Sequence, residues 1–319
     1  MTILVTGATG FIGQALVCEL NNEGLDVVAA VRMYSEALSD MKVTQIISDL
    51  SPTSSWRNTL KNISVVIHAA ARVHIMKESA ADSLKEFRKI NTVATLNLAR
   101  QAAEAGVKRF IYISSIKVNG EGTEPNQVFR CTDTPMPMDA YAISKYEAEQ
   151  GLLELAEKTG MEVVIIRPPL VYGPGVKANF YYLIKWLDKG VPLPLGAIYN
   201  QRSFVALDNL ISLIVCCIDH PKATNEVFLI SDGKDVSTTE LCQKMANALA
   251  KKVYLFSIPL SLMRFVANML GKADVTDRLF GTLIIDSTKA RDLLDWKPVV
   301  TMEQELNKTV EAYRNEKTV

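Results

Sequence analysis

Seven residues near the start of the chain, Gly7-Ala8-Thr9-Gly10-Phe11-Ile12-Gly13, constrain its fold more than any other segment. They follow a β-branched apolar run, Thr2 to Thr6, and open directly into helix-spaced apolar residues from Phe11 to Glu23. A strand that becomes a helix through three glycines gains a tight turn at the first, close backbone approach at the second and close helix-to-strand packing at the third. The helix start then turns unpaired backbone N–H groups toward the loop, an arrangement suited to a pyrophosphate.

The rest of the chain supplies the context that this loop needs. Short β-branched runs at Val27 to Val31, Val43 to Ser48, Ser64 to Ala69, Arg109 to Ser114 and Glu162 to Arg167, with Val227 to Ile230 returning later, read as strands. Most are continuous apolar runs, as strands covered on both faces must be. Helical spacing fills Glu86 to Ala105 and Tyr141 to Lys158, and Gly24, Gly106 and Gly160 stand where C-caps belong. This alternation predicts an α/β fold, a doubly wound parallel sheet (Rossmann) with a smaller C-terminal substrate lobe. After Pro168 the texture breaks into Pro- and Gly-rich loops. The expected division is 1–170 for the dinucleotide-binding unit, with 203–235 returning to it, and 171–202 plus 236–319 for the lobe. In that lobe Ser237 to Ala250 reads as a capped helix, Leu260 to Leu270 as another, and Ser287 to Leu294 with Trp296 and Pro298 as its closing piece.

Composition narrows the function classes. At 319 residues the chain exceeds one ordinary domain of roughly 100–200. Its 35 basic and 35 acidic residues cancel, which leaves no bulk field for a nucleic acid. Five cysteines without CxxC spacing or a histidine pair signal neither a disulfide framework nor a metal site. The first residues enter a strand without a basic leader, and the longest apolar run, Leu210 to Ile218, is too short to cross a bilayer. The expectation is a cytoplasmic protein with no membrane partner.

The acidic residue that commonly follows the second strand and holds a ribose diol is absent, and Arg32 stands in its place. A planar guanidinium suits a 2′-phosphate, so NADP(H) is favoured over NAD(H). Asp49 and Leu50, after the third strand, are placed to meet the adenine.

Tyr141 and Lys145 lie four apart at a helix start, a spacing repeated at Tyr181/Lys185 and Tyr313/Lys317. Only the first pair follows a hydroxyl pair, Ser114-Ser115, at the carboxyl end of a strand, where such sheets bind ligands. A carbonyl that receives hydride needs a proton, and a phenol near 10 is too weak an acid. A neighbouring ammonium on Lys145 is expected to lower the Tyr141 pKa while Ser115 bonds the same oxygen, making Tyr141 general acid for reduction and general base for oxidation.

At this point the chain resembles the extended short-chain dehydrogenase/reductases of the NAD-dependent epimerase/dehydratase family over nearly its full length. The resemblance rests on Gly7 to Gly13, Asp49-Leu50, His68-Ala69-Ala70, Asn91, Ser114-Ser115, Tyr141-Ala142-Ile143-Ser144-Lys145 and the Arg167-Pro168 strand exit. It implies hydride exchange at a sugar carbon through Ser115, Tyr141 and Lys145, with Lys145 also on the nicotinamide ribose and Asn91 supporting a proton relay. It implies a cofactor cleft lined by Thr9, Phe11, Ile12, Ala69, Ala70, Ala71 and Pro168. It also implies a UDP-linked sugar substrate held by Ser115, Asn179, the Gly190 to Gly196 stretch and Arg202, and a homodimer built on the Asn91 and Tyr141 helices.

Departures from the family pattern narrow the activity. Sugar dehydratases carry Asp-Glu after the strand-five hydroxyl, whereas Ile116-Lys117 stand here, which argues against dehydration. Asn119 and Leu170 replace residues common in UDP-galactose-type epimerases. The run Ser114 to Glu121 is similar to a bacterial subgroup that reduces UDP-4-keto sugars for surface polysaccharides. The leading expectation is therefore an NADPH-consuming 4-ketoreductase. The alternative is a UDP-glucose- or UDP-N-acetylglucosamine-type 4-epimerase with a retained cofactor, and a more distant one is a dinucleotide-sensing protein without chemistry. His68 reads as structural, His74 and His220 as lacking companion ligands, and Cys216-Cys217 as core. Trp56, Trp186 and Trp296 read as lobe anchors, and the charges of Glu147 to Lys158 as a solvated face.

Overall fold

A computed structural model describes residues 1–73, 80–124, 126–269 and 280–318. Its strands are β1 (Thr2–Thr6), β2 (Asp26–Val31), β3 (Val43–Ile47), β4 (Val65–His68), β5 (Arg109–Ile113), β6 (Glu162–Arg167), β7 (Leu170–Tyr172), β8 (Phe204–Ala206) and β9 (Glu226–Leu229). The helices are α1 (Phe11–Asn22), α2 (Ala80–Phe87), α3 (Thr95–Glu104), α4 (Ala140–Thr159), α5 (Ala178–Asp188), α6 (Leu207–Cys216), α7 (Thr238–Ala248), α8 (Leu260–Met269), α9 (Thr288–Leu294) and α10 (Met302–Thr318).

Among the described residues the main sheet runs in the order β3-β2-β1-β4-β5-β6-β9, every neighbouring pair parallel. This is the doubly wound α/β arrangement that the alternation predicts, with the order reversing between β1 and β4. One face buries Ile3, Val5 and Ile67 against α1 and α6, and the other buries Leu4, Val66 and Phe110 against α3 and α4. A third core joins α5, α7 and α10 through Ile184, Met245 and Val310. Phe11, the first residue of α1, packs against the first and third cores at once.

Several elements depart from the sequence reading. The single helix expected from Glu86 to Ala105 is α2, a π-helical segment at Arg88–Ala94, and α3. The region after Pro168 holds α5 and the short parallel pair β7 and β8, and the chain ends in a long helix, α10. Ala290, Leu294 and Trp296 pack in the sheet core with α1 and α6, and the closing piece of the lobe is α10 instead. None of the three tryptophans anchors the lobe core: Trp56 and Trp296 are buried in the two faces of the sheet, and Trp186 is 48% exposed beside Tyr182. Glu149 is not on a solvated face: it is buried in an ion pair with Arg167. His74 and Leu270 lie outside the described residues. No helix among the described residues is long and apolar enough to cross a membrane.

Candidate active site

Local geometry explains each glycine of the loop. Gly7 takes φ +70° and donates no room: a methyl there would lie 2.7 Å from the Ala70 nitrogen. Gly10 caps α1 without a side chain, its N–H donating to the Gly7 carbonyl at 2.8 Å, and a methyl on Gly13 would be driven into that same carbonyl oxygen. The start of α1 has no acidic residue in its first turn and no side-chain cap, so its backbone donors are left for an anion. Thr9 is exposed at the loop tip, while Phe11 and Ile12 are half-buried beneath it.

Around this loop the structure gathers the other expected cofactor residues at the carboxyl ends of the strands. Arg32 follows β2 and is exposed; Asp49 is exposed and Leu50 half-buried beyond β3. Ala69, Ala70 and Ala71 continue from β4, with the Ala69 N–H donating to the Thr6 carbonyl at 3.2 Å. Pro168 is buried, and its carbonyl accepts from Ile116 N–H at 2.9 Å, joining the exits of β5 and β6. His68 is wholly buried between Thr6 Oγ1 at 2.7 Å and Thr95 Oγ1 at 2.9 Å, and burial pushes its imidazole down to about 3. It is therefore neutral and structural, as expected.

Ser115, just past the end of β5, and Tyr141, in the first turn of α4, come together: the Ser115 hydroxyl stands close enough to the phenol to favour its ionised form. Phe87 packs edge-on against the Tyr141 ring at 5.9 Å. The expected acidification by Lys145 is not what the chain alone produces. Burial, with Asp139 adding to it, pushes the Tyr141 phenol up to about 12 despite the opposing pull of the Ser115 hydroxyl. Lys145 is itself buried, pushed down to about 7, and its Nζ donates to the Ile113 carbonyl at 2.7 Å above the Tyr112 ring. A buried ammonium is costly, so the lysine loses much of the charge that was expected to act on the phenol.

Asn91 sits inside the π-helical segment, 1% exposed. Its amide is fully used: Oδ1 accepts from Arg72 N–H at 2.8 Å, and Nδ2 donates to the Arg72 carbonyl at 3.1 Å and to Ser144 Oγ at 3.1 Å. This side chain clamps the segment after β4 onto α4.

On the lobe side, Arg202 is held by its backbone, exchanging hydrogen bonds with Val236 at 3.0 and 3.1 Å, and its Nη1 donates to the Gly281 carbonyl at 3.0 Å. Asn200 donates to the same carbonyl at 2.9 Å. Asn179 is exposed in the first turn of α5, away from any such anchor. In the Gly190 to Gly196 stretch, Leu193 and Leu195 are buried in the lobe core.

Sequence reasoning missed the ties between these pieces. Arg167 donates to both Glu149 oxygens and to Asn119 Oδ1 at 2.9 Å, joining β6, α4 and the turn after β5. Glu149 stands four residues past Lys145 on the same helix face, but nothing local in that spacing points to Arg167, which β6 brings to it.

A parallel sheet with a glycine cradle at its order reversal, and a Ser-Tyr-Lys set beside it, define a dinucleotide-binding enzyme of the short-chain dehydrogenase/reductase kind. Residues 3–231 match the NAD dependent epimerase/dehydratase family. The chain is similar to a UDP-glucose 4-epimerase of Vibrio cholerae, 45% identical over 313 residues that cover 98% of this chain and 95% of that protein. Its fold is similar to that of MoeE5 in complex with UDP-glucose and NAD, with a TM-score of 0.78, 26% identity and 99% of each chain covered. It is also similar to that of UDP-glucuronic acid 4-epimerase from Bacillus cereus in complex with NAD, with a TM-score of 0.80, 22% identity and 99% of each chain covered. The chain belongs to the NAD-dependent epimerase/dehydratase family.

Proposed function

We propose that this protein is a UDP-sugar 4-epimerase that works through a retained nicotinamide dinucleotide. The observation that carries this reading is the 45% identity, across 98% of the chain, to a UDP-glucose 4-epimerase. It favours this reading over the 4-ketoreductase one, which rests on Arg32 and on the similarity of the run Ser114 to Glu121 to UDP-4-keto-sugar reductases.

The glycine cradle leaves no space for a side chain and presents free helix donors, which fits a dinucleotide pyrophosphate. Gly7, Gly10 and Gly13 would hold it, with Arg32, Asp49 and Leu50 around the adenosine and Ala69 to Ala71 and Pro168 toward the nicotinamide. Bound there, the oxidised nicotinamide would supply a hydride acceptor and a positive charge that favours the Tyr141 phenolate. Tyr141 then takes the proton from the sugar hydroxyl as its carbon is oxidised and gives it back on reduction, with Ser115 beside it to hydrogen-bond the same sugar oxygen. Lys145, fixed on the Ile113 carbonyl, holds the floor of the site beside Tyr141. Arg202 and Asn179 hold the diphosphate on the lobe side, so in this reading 1–170 with 203–235 carries the cofactor, and 171–202 with 236–319 carries the sugar nucleotide. A homodimer through the Asn91 and Tyr141 helices belongs to the same reading.

The test is conversion of UDP-glucose to UDP-galactose by the purified chain without added reductant. A ketoreductase would instead leave UDP-glucose untouched and consume NADPH against a 4-keto sugar nucleotide. In either direction Tyr141→Phe should lower turnover by about 10²–10⁴-fold, and full activity in that variant would remove Tyr141 from the mechanism. Arg32 keeps the 2′-phosphate open: Arg32→Ala should weaken NADP+ and leave NAD+ nearly unchanged in fluorescence titrations if the guanidinium faces that phosphate.

A further inference from the structure

Ser115 and Tyr141 come from different segments, and one side chain ties the two together. Lys117 lies two residues past Ser115, in the 3-10 turn Ile116–Val118, and its backbone N–H donates to Ser115 Oγ at 3.3 Å. Its Nζ crosses to the start of α4, donating to Asp139 Oδ2 at 2.5 Å and to Glu121 Oε1 at 2.9 Å. Asp139 is the N-cap of that helix: its Oδ1 accepts from Ala142 N–H at 2.7 Å, and its carbonyl accepts from Ile143 N–H at 2.9 Å. A second stitch runs alongside, Met136 N–H to the Val118 carbonyl at 3.0 Å. The chain therefore runs Ser115, Lys117, Asp139, helix start, Tyr141 without a gap.

Charge adds a second role. The Asp139 carboxylate lies close enough to the phenol to disfavour its ionisation, and the Lys117 ammonium sits directly on that carboxylate, half-buried where water screens it less. The N-cap Asp139 and Ser115 act on the Tyr141 phenol directly and Tyr112 of β5 interacts electrostatically with it, while Lys117 and Glu121 after β5 bear on it through Asp139 and Lys145 stands one turn further along α4. From α2 it meets the uncharged Phe87 ring, and the Arg88–Glu147 pair nearby closes on itself.

We infer that Lys117 is a positioning residue of this site, whose ion pair with Asp139 sets the spacing of Ser115 and Tyr141 and holds the carboxylate charge in check beside the phenol. The inference rests on Tyr141 as the proton-exchanging group. It gives the residue that stands where dehydratases carry an acid a task of the opposite sign.

The test is a double-mutant cycle on the full chain as purified with its dinucleotide. Phenolate absorbance is titrated against pH for each protein, and the same background carrying Tyr141→Phe is subtracted, so the readout does not depend on turnover. The acid limb of kcat/KM with UDP-glucose is measured in parallel. Lys117→Gln leaves Asp139 and Glu121 unopposed and should move the Tyr141 titration and the acid limb up by about one pH unit. Asp139→Asn keeps the helix cap and should move both down. The double variant should return most of the way to the parent, and Lys117→Arg, which keeps the charge, should stay with it. A Lys117→Gln titration that coincides with the parent, or a shift that survives Asp139→Asn, overturns the inference. Full turnover in Tyr141→Phe overturns the parent reading instead, whatever the titrations show.

Discussion

The two walls of the cleft are built on opposite plans. The cofactor wall is main chain packed on main chain: Gly7 and Gly13 have no room for a methyl, and the charge buried behind it is paired, as in Arg167 with Glu149 at 5% and 2% exposure. The lobe wall is looser. Gly175 and Gly190 have nothing within 4 Å of a built methyl, Asn179 is exposed, and the buried Glu305 of α10 has neither carboxylate oxygen hydrogen-bonded. Under the function proposed above, the difference suits a wall that keeps one ligand through many turnovers facing one that must exchange its ligand each time.

The sharpest way to break this contrast is Glu149→Gln. It strands the Arg167 guanidinium in the core, and urea denaturation should show a loss of about 3–5 kcal/mol. A loss under 1 kcal/mol would mean that the cofactor wall is no more rigidly paired than the lobe.

Glu305 tests the other wall. Burial first, and then the Asp208 charge, push its carboxyl up to about 7, with Asp232 adding to the rise and Lys308 opposing it. The folded chain thus holds this proton more tightly than the unfolded one. The sign follows: stability is full below the ordinary carboxyl range near 4.5 and falls as pH rises to about 7, then levels. The drop is on the order of 3 kcal/mol, and Glu305→Gln should flatten it in thermal melts taken across that window.

Glycine substitutions give the smallest and most local comparison. Gly13→Ala overpacks the loop by roughly 1–3 kcal/mol, and if the loop yields that much only when a dinucleotide seats on it, affinity falls by about 5- to 150-fold in fluorescence titration. Gly190→Ala meets only the strain of φ +67°, roughly 1 kcal/mol, and should leave dinucleotide affinity unchanged. Equal effects on affinity would erase the distinction between the walls.

The same contrast explains what could be read before any coordinates. β1, the glycine loop and α1 are neighbours in sequence, so their patterns are local, and Ser115, Tyr141 and Lys145 are marked by their place after a strand and at a helix start. Glu149 looks like a surface charge until β6 brings Arg167 to it. The π-helical segment leaves no pattern in Arg88 to Ala94, because what accompanies it is a long-range contact, the Asn91 amide on the Arg72 backbone. The lobe wall is the hardest to read, since Arg202 is held between Val236 and Leu283, residues 34 and 81 positions away. The acidity of Tyr141 could not be judged from spacing at all, because burial and the Asp139 charge set it and burial also strips charge from Lys145.

One ring links the two walls. Phe11 opens the helix that receives the pyrophosphate loop, yet its side chain is shared between the sheet core and the lobe core. Neither core can loosen without unseating that ring from the other, so the molecule should melt in a single step and a ligand on the loop should raise the melting point of both halves together.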